Sequence, residues 1–89
     1  MSEFVWDEEK NSFLRDARGV SFEDILFHIG NGDLLDVIRH PNLKRYPNQL
    51  VMVVNVEGYA YLVPYVKDGG RRFLKTIIPS RRATKEYLE

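Results

Sequence analysis

The densest chemistry in the chain runs from Arg71 to Ala83, where Arg71-Arg72-Phe73-Leu74-Lys75-Thr76-Ile77-Ile78 leads through Pro79-Ser80 into the pair Arg81-Arg82. It reads as an apolar strand that ends in two adjacent guanidinium groups. A guanidinium grips phosphate through two parallel hydrogen bonds, so this pair suits an anionic backbone. The formal net charge is zero, yet the charge is divided along the chain. Residues 1–40 hold nine acids and four bases, a balance of −5, and residues 41–89 hold nine bases and four acids, a balance of +5. A neutral protein built this way can turn one positive face toward a polyanion such as RNA. The plainer alternative is a solvated cluster along a strand edge.

Other residues of interest are scattered. Lys10 falls at helical spacing with Phe13, Leu14 and Ala17. On that face a lysine either snorkels to water or points into a cleft. His40 is the only histidine in a loop, and histidine is the side chain whose ordinary titration range suits proton transfer near neutral pH. His28 lies in a helical stretch, off its apolar stripe. Arg45 and Tyr46 share a proline-flanked loop, where one suits a phosphate and the other a stacked base. The two histidines and the scattered acids lack metal-ligand spacing, so no metal and no other cofactor is expected. Gly69-Gly70 sits in a hairpin rather than before a helix, which excludes a phosphate-cradling loop. There is no cysteine, hence no disulfide and no thiol chemistry.

These residues need a scaffold. The 89 residues are 44% hydrophobic and 29% charged, which makes a folded single domain over 1–89 and excludes a disordered tail. Nothing in the sequence resembles a leader or a bilayer-spanning run, so a soluble, cytoplasmic protein is expected. Glu3 to Trp6 reads as a short strand, followed by Asp7 as an N-cap and a helix from Glu8 to Ala17 that stops at Gly19. Ser21 with Asp24 forms a near capping box for a second helix, whose stripe is Phe22, Ile25, Leu26 and Ile29. Gly30-Asn31-Gly32 ends it.

Strands follow. Leu34–Arg39, Leu50–Val56, Tyr59–Val66 and Arg71–Ile78 are separated by a loop of about ten residues and by the hairpin turns Glu57-Gly58 and Lys67–Gly70. Pro64 cannot donate to a ladder, so its strand is bulged there or lies partly at an edge. Uninterrupted alternation puts Arg71, Phe73, Lys75 and Ile77 on one side of the last strand and Arg72, Leu74, Thr76 and Ile78 on the other. Residues 81–89 are weakly helical. The expected fold is α+β, with two N-terminal helices packed on one face of a three- to four-stranded antiparallel sheet and the other face open.

Three stretches resemble the BrnT family of toxin–antitoxin toxins, within the RelE/ParE-like superfamily. They are Phe4-Val5-Trp6-Asp7-Glu8-Glu9-Lys10, Gly19-Val20-Ser21-Phe22-Glu23-Asp24 and Ile77-Ile78-Pro79-Ser80-Arg81-Arg82-Ala83. They occur in the family's order and span most of the chain. Arg18 stands where the family has histidine, Leu14 where it has asparagine, Pro79-Ser80 where it has Ser-Ala, and Thr76 where a basic residue is common.

The resemblance implies a RelE/ParE-like fold and the toxin of a type II module. Such a toxin is an endoribonuclease that works without a metal, in which the ribose 2′-hydroxyl attacks the adjacent phosphate. It implies catalytic roles for Lys10, Arg81, Arg82 and His40, one pocket shared by Lys10, Arg45, Arg81 and Arg82, and Lys10 or His28 as other candidate bases. It implies RNA contacts from Arg45, Tyr46, Arg72 and Lys75. Its partners would be RNA and a cognate antitoxin, with operator DNA reached only through the antitoxin complex and no membrane. Two other readings stay open. One is a toxin of the same fold that blocks a protein target without catalysis. The other is a binding module that has lost activity.

Overall fold

The architecture follows from a computed structural model, which describes residues 3–89. Asp7 caps the first helix, α1 (Glu8–Arg18), by accepting from the Glu9 amide, and Gly19 closes it at φ 71°. A left-handed backbone at that point suits glycine, which has no Cβ to clash. Both halves of the capping box form at the second helix, α2 (Phe22–Gly30), with Ser21 Oγ accepting from the Asp24 amide and Asp24 accepting from the Ser21 amide. The expected stripe is the buried one, since Phe22 and Ile25 are fully enclosed and Ile29 packs beside them.

The six strands are β1 (Glu3–Trp6), β2 (Leu34–Arg39), β3 (Gln49–Val56), β4 (Tyr59–Asp68), β5 (Arg71–Leu74) and β6 (Ile78–Pro79). Their order across the sheet is β1-β5-β4-β3-β2, with β6 pairing β4 beyond the end of β5. Glu57 at φ 53° and Gly58 at φ 89° give the β3–β4 hairpin a type I′ turn, whose twist matches that of its strands.

The α+β class holds, but the sheet is larger than expected and mixed. β1 runs parallel to β5, pairing Glu3 with Arg71 and Trp6 with Leu74. The two N-terminal helices do share one face. There Leu14, Phe22 and Ile25 meet Met52, Val54, Val63, Tyr65 and Leu74. The other face is not open along its whole length. Residues 81–88 form a third helix, α3 (Arg81–Leu88), which lies over Val53, Ala60 and Leu62 through Ala83, Tyr87 and Leu88. Two hydrogen bonds dock it: the Ala60 amide donates to Thr84 Oγ1 and the Ser80 amide donates to the Ala60 carbonyl.

The last strand also departs from its expected course. Between the pairs Tyr65–Leu74 and Leu62–Ile78 the β4 side spans three residues and the other side four. That extra residue is a bulge, and it reverses the side-chain alternation. Pro64 faces it and supplies the cause. Its carbonyl accepts from the Lys75 amide, but its nitrogen has no hydrogen to return to the ladder. Ile77 therefore turns into the core beside Leu74.

The first helix is rotated from its expected setting. Phe13 is 58% exposed, while Asn11 and Leu14 are fully buried. Asn11 accounts for this. Its Oδ1 accepts from the Phe22 amide at 2.7 Å and its Nδ2 donates to Glu23 at 2.7 Å and Glu8 at 3.1 Å. A buried polar side chain with every partner satisfied sets the helix face more firmly than an exposed phenyl ring does.

Candidate functional site

The loop between β2 and β3 is built by its own polar groups. The His40 amide donates to the Gln49 carbonyl and closes its base. Asn42 then makes a tight turn, its side chain accepting from the Arg45 amide at 3.2 Å and its carbonyl from the Tyr46 amide at 2.9 Å. That turn folds Tyr46 back over His40, with ring centroids 4.4 Å apart. Arg45 lies over the other ring system, its guanidinium carbon 5.5 Å from the Tyr46 centroid.

Across the sheet face stands the bulged segment. Lys75 follows Phe73 on this face, with Nζ 4.9 Å from the Phe73 ring. Between the two walls lies a groove of about 560 Å³, floored by Gln49, Pro64 and Val66 and walled by His40, Tyr46 and Lys75. No carboxylate lines it. Neither Arg45 nor Lys75 makes an ion pair among the described residues. Three features therefore meet in the groove: the His40–Tyr46 aromatic pair, the Lys75 cation and the side-chain amides of Asn48 and Gln49, with Arg45 beside them against the Tyr46 ring.

The hydrogen bonding of His40 narrows its role. Nδ1 accepts from the Asn42 amide at 3.1 Å. A neutral imidazole that accepts at Nδ1 carries its proton on Nε2, so the ring offers a donor at its free nitrogen. To take a proton at Nε2, or to act as a doubly protonated acid, the ring must release Asn42. That is one exposed hydrogen bond, worth about 0.5–1.5 kcal/mol.

The cleft expected to gather Lys10, Arg45, Arg81 and Arg82 does not form. Lys10 belongs to α1, on the opposite side of the sheet, where its Nζ rests 5.6 Å from the Phe13 ring centroid. The snorkelling alternative describes it. Arg81 and Arg82 open α3 on the groove's side and are exposed. Arg82 lines a neighbouring hollow with Ile38, Pro41, Leu62 and the carboxylate residue Glu86. Leu62 and Pro64 are two residues apart on one face, so the two hollows adjoin along β4.

Arg72 is the other displaced residue. It faces the helices, with its guanidinium carbon 5.5 Å from the Phe4 ring centroid and 6.0 Å from that of Tyr65. His28 is also remote from the groove, with Nδ1 3.2 Å from an Asp33 carboxylate oxygen. It lines a polar hollow with Arg18, Asp24 and Tyr61, in which the Arg18 guanidinium donates to the Ile77 carbonyl.

Several contributors carry little signal in sequence. Asn48 and Gln49 carry no signal of their own there, and Thr76 reads as a strand position facing away from Lys75. Only the bulge brings Thr76 and Lys75 to one groove. Tyr87, on α3, donates its hydroxyl to Asp36 at 2.7 Å. That bond to a carboxylate is the main reason its phenol is pushed up to about 12. No helix among the described residues is long and apolar enough to cross a membrane. No group of three His, Asp or Glu side chains placed to hold a metal occurs among them.

Comparison of the chain with protein-family models, with curated proteins and with solved structures returns no match.

Proposed function

We propose that this protein acts on RNA, as the toxin of a type II toxin–antitoxin module with a RelE/ParE-like fold, and that the groove between His40, Tyr46 and Lys75 receives a single RNA strand. One observation carries the reading. Residues from three separate segments converge on one acid-free groove that pairs a stacking surface with uncompensated positive charge. Single-stranded nucleic acid is held by this combination, since bases stack on aromatic rings while cations follow the phosphates. Tyr46, backed by His40, takes a base. Lys75 and Arg45 take phosphates, and Arg82 in the adjoining hollow takes the next one along.

Cleavage by the 2′-hydroxyl requires charge stabilisation at phosphorus, an acceptor for the hydroxyl proton and a donor for the leaving 5′-oxygen. Lys75 and Arg45 supply the charge. His40 is the titratable group in place for proton transfer once RNA binding releases the Asn42 bond. An antitoxin segment bearing carboxylates would neutralise the groove, and such a segment fits the missing negative charge there. An RNA target implies a cytoplasmic protein.

A second reading has its own observation. With the His40–Asn42 bond closed and Lys10 on the far side of the sheet, the groove has a binding surface but no free base. A non-catalytic module that binds RNA or a protein partner fits that state. The deciding experiment is expression of the chain alone, with growth and total RNA followed over time, beside Lys75→Gln with His40→Ala. Growth arrest with RNA fragments ending in 2′,3′-cyclic phosphate, lost in the double variant, supports the enzyme. RNA binding without fragments supports the second reading. A purified chain that binds no RNA overturns both RNA readings.

A further inference from the structure

The groove ends at the segment Pro47-Asn48-Gln49, and that segment also borders a second hollow of about 500 Å³ on the opposite side of the sheet. Register fixes which side. Arg39 pairs with Leu50 and Leu50 with Tyr65, whose ring belongs to the core beneath α1 and α2. Lys67 lies two residues beyond Tyr65 on the same face and pairs with Arg72. Arg39, Lys67 and Arg72 therefore share one end of the helix-covered face, and Arg39 and Lys67 are exposed there.

This hollow also lacks a carboxylate. None of the three cations makes an ion pair among the described residues. Asp68, the acid next to Lys67, alternates to the opposite face, where it lies across the ladder from Arg71, and two other acids are engaged elsewhere. Asp36 is held by Tyr87 under α3, and Glu3 pairs with Arg71 at 3.7 Å. Arg72 stands across from Lys67 on this face, its guanidinium flanked by Phe4 and Tyr65. Its Nε is enclosed and finds no hydrogen-bond partner among the described residues.

The geometry points to a continuous path. An RNA strand leaving the groove crosses the Pro47–Gln49 ridge, and its following phosphates lie on Arg39, Lys67 and Arg72. This inference rests on the RNA reading of the groove and deepens it, because it makes the binding site longer than the groove and wraps it around one end of the sheet.

The test uses fluorescent uridine oligonucleotides of about four and about twelve nucleotides, within the span that single-strand sites cover. Each is titrated over a range of salt against the wild-type chain and against Arg39→Gln with Lys67→Gln. Both substitutions are at exposed positions, and a matching thermal melt checks the fold. The expected result is unchanged binding of the short oligonucleotide and weaker binding of the long one. Its salt slope should fall by about 1.4, twice the roughly 0.7 that each neutralised phosphate contributes on a single strand. Equal losses on both lengths, or no loss on either, overturn the path while leaving the groove in place. Tyr46→Ala separates the two ideas, since it should weaken the short oligonucleotide as well. If the wild type binds neither length, the groove reading fails and the path fails with it.

Discussion

Asn11→Ala gives the sharpest test of how the scaffold is held. Asn11 is fully buried at the crossing of α1 and α2. Truncation leaves the Phe22 amide without an acceptor in a closed site, which costs about 1–3 kcal/mol. It also removes the 2.7 Å bond to Glu23, of a charge-assisted kind worth about 1.5–3 kcal/mol. Glu23 is 54% exposed, so its carboxylate regains water and the lower end of that range applies. The expected loss is therefore about 2.5–4.5 kcal/mol, out of a total of roughly 4–13 kcal/mol for a domain of this length. Urea unfolding monitored by circular dichroism measures it, as a lower midpoint at unchanged slope.

Asn11→Asp provides the control. It keeps an acceptor for Phe22 but sets a third carboxylate against Glu8 and Glu23, so at neutral pH it should be worse than alanine and should recover on acidification. The wild type has its own pH signature. Glu23 is held below its ordinary value of 4.5, chiefly by the Asn11 bond. Its folded value is the lower one, so this contact stabilises fully above pH 4.5 and is lost as pH falls through the folded value. Asn11→Ala should flatten that acid limb. A loss under about 1 kcal/mol, or an aspartate variant as stable as wild type at pH 7, would refute the account of Asn11 as the pin between the helices.

Further expectations follow from single contacts. Ser80 caps α3 by accepting from the Ala83 amide, so Ser80→Ala should cost about 1 kcal/mol in urea and loosen the helix that carries Arg82. Glu57 holds φ 53°, a left-handed position that costs a side-chain-bearing residue roughly 1–2 kcal/mol, so Glu57→Asn should raise the melting temperature. The Tyr87 phenol is raised from 10.0 to about 12 by its bond to Asp36, so the stability from that bond is complete below pH 10 and drains away between pH 10 and 12. Tyr87→Phe should show a smaller fall over that window in alkaline unfolding.

What could be read in advance was local. The Ser21–Asp24 box, the Glu57-Gly58 turn and the stripe Phe22, Ile25 and Ile29 are short-range patterns whose energetics lie within a few residues of one another. What escaped was remote. Parallel pairing of β1 with β5 joins segments nearly seventy residues apart and leaves no mark on either. Docking of α3 depends on Ala83 and Thr84, small residues whose value appears only beside Ala60.

The course of the last strand beyond Lys75 turns on one atom. Pro64 lacks an amide hydrogen, the strand opposite takes up an extra residue, and the alternation that should carry Lys75 and Ile77 together is broken. Ile77 then fills the core and Thr76 joins Lys75 at the groove, while Arg72, three residues from Lys75, lies by plain alternation on the far face between two aromatic rings. A run that looks in sequence like one basic patch is in the fold two, joined only around the end of the sheet by Pro47, Asn48 and Gln49. Any polyanion that touches both must be long enough to turn that corner, so ligand length, rather than charge alone, decides how much of the basic surface is used.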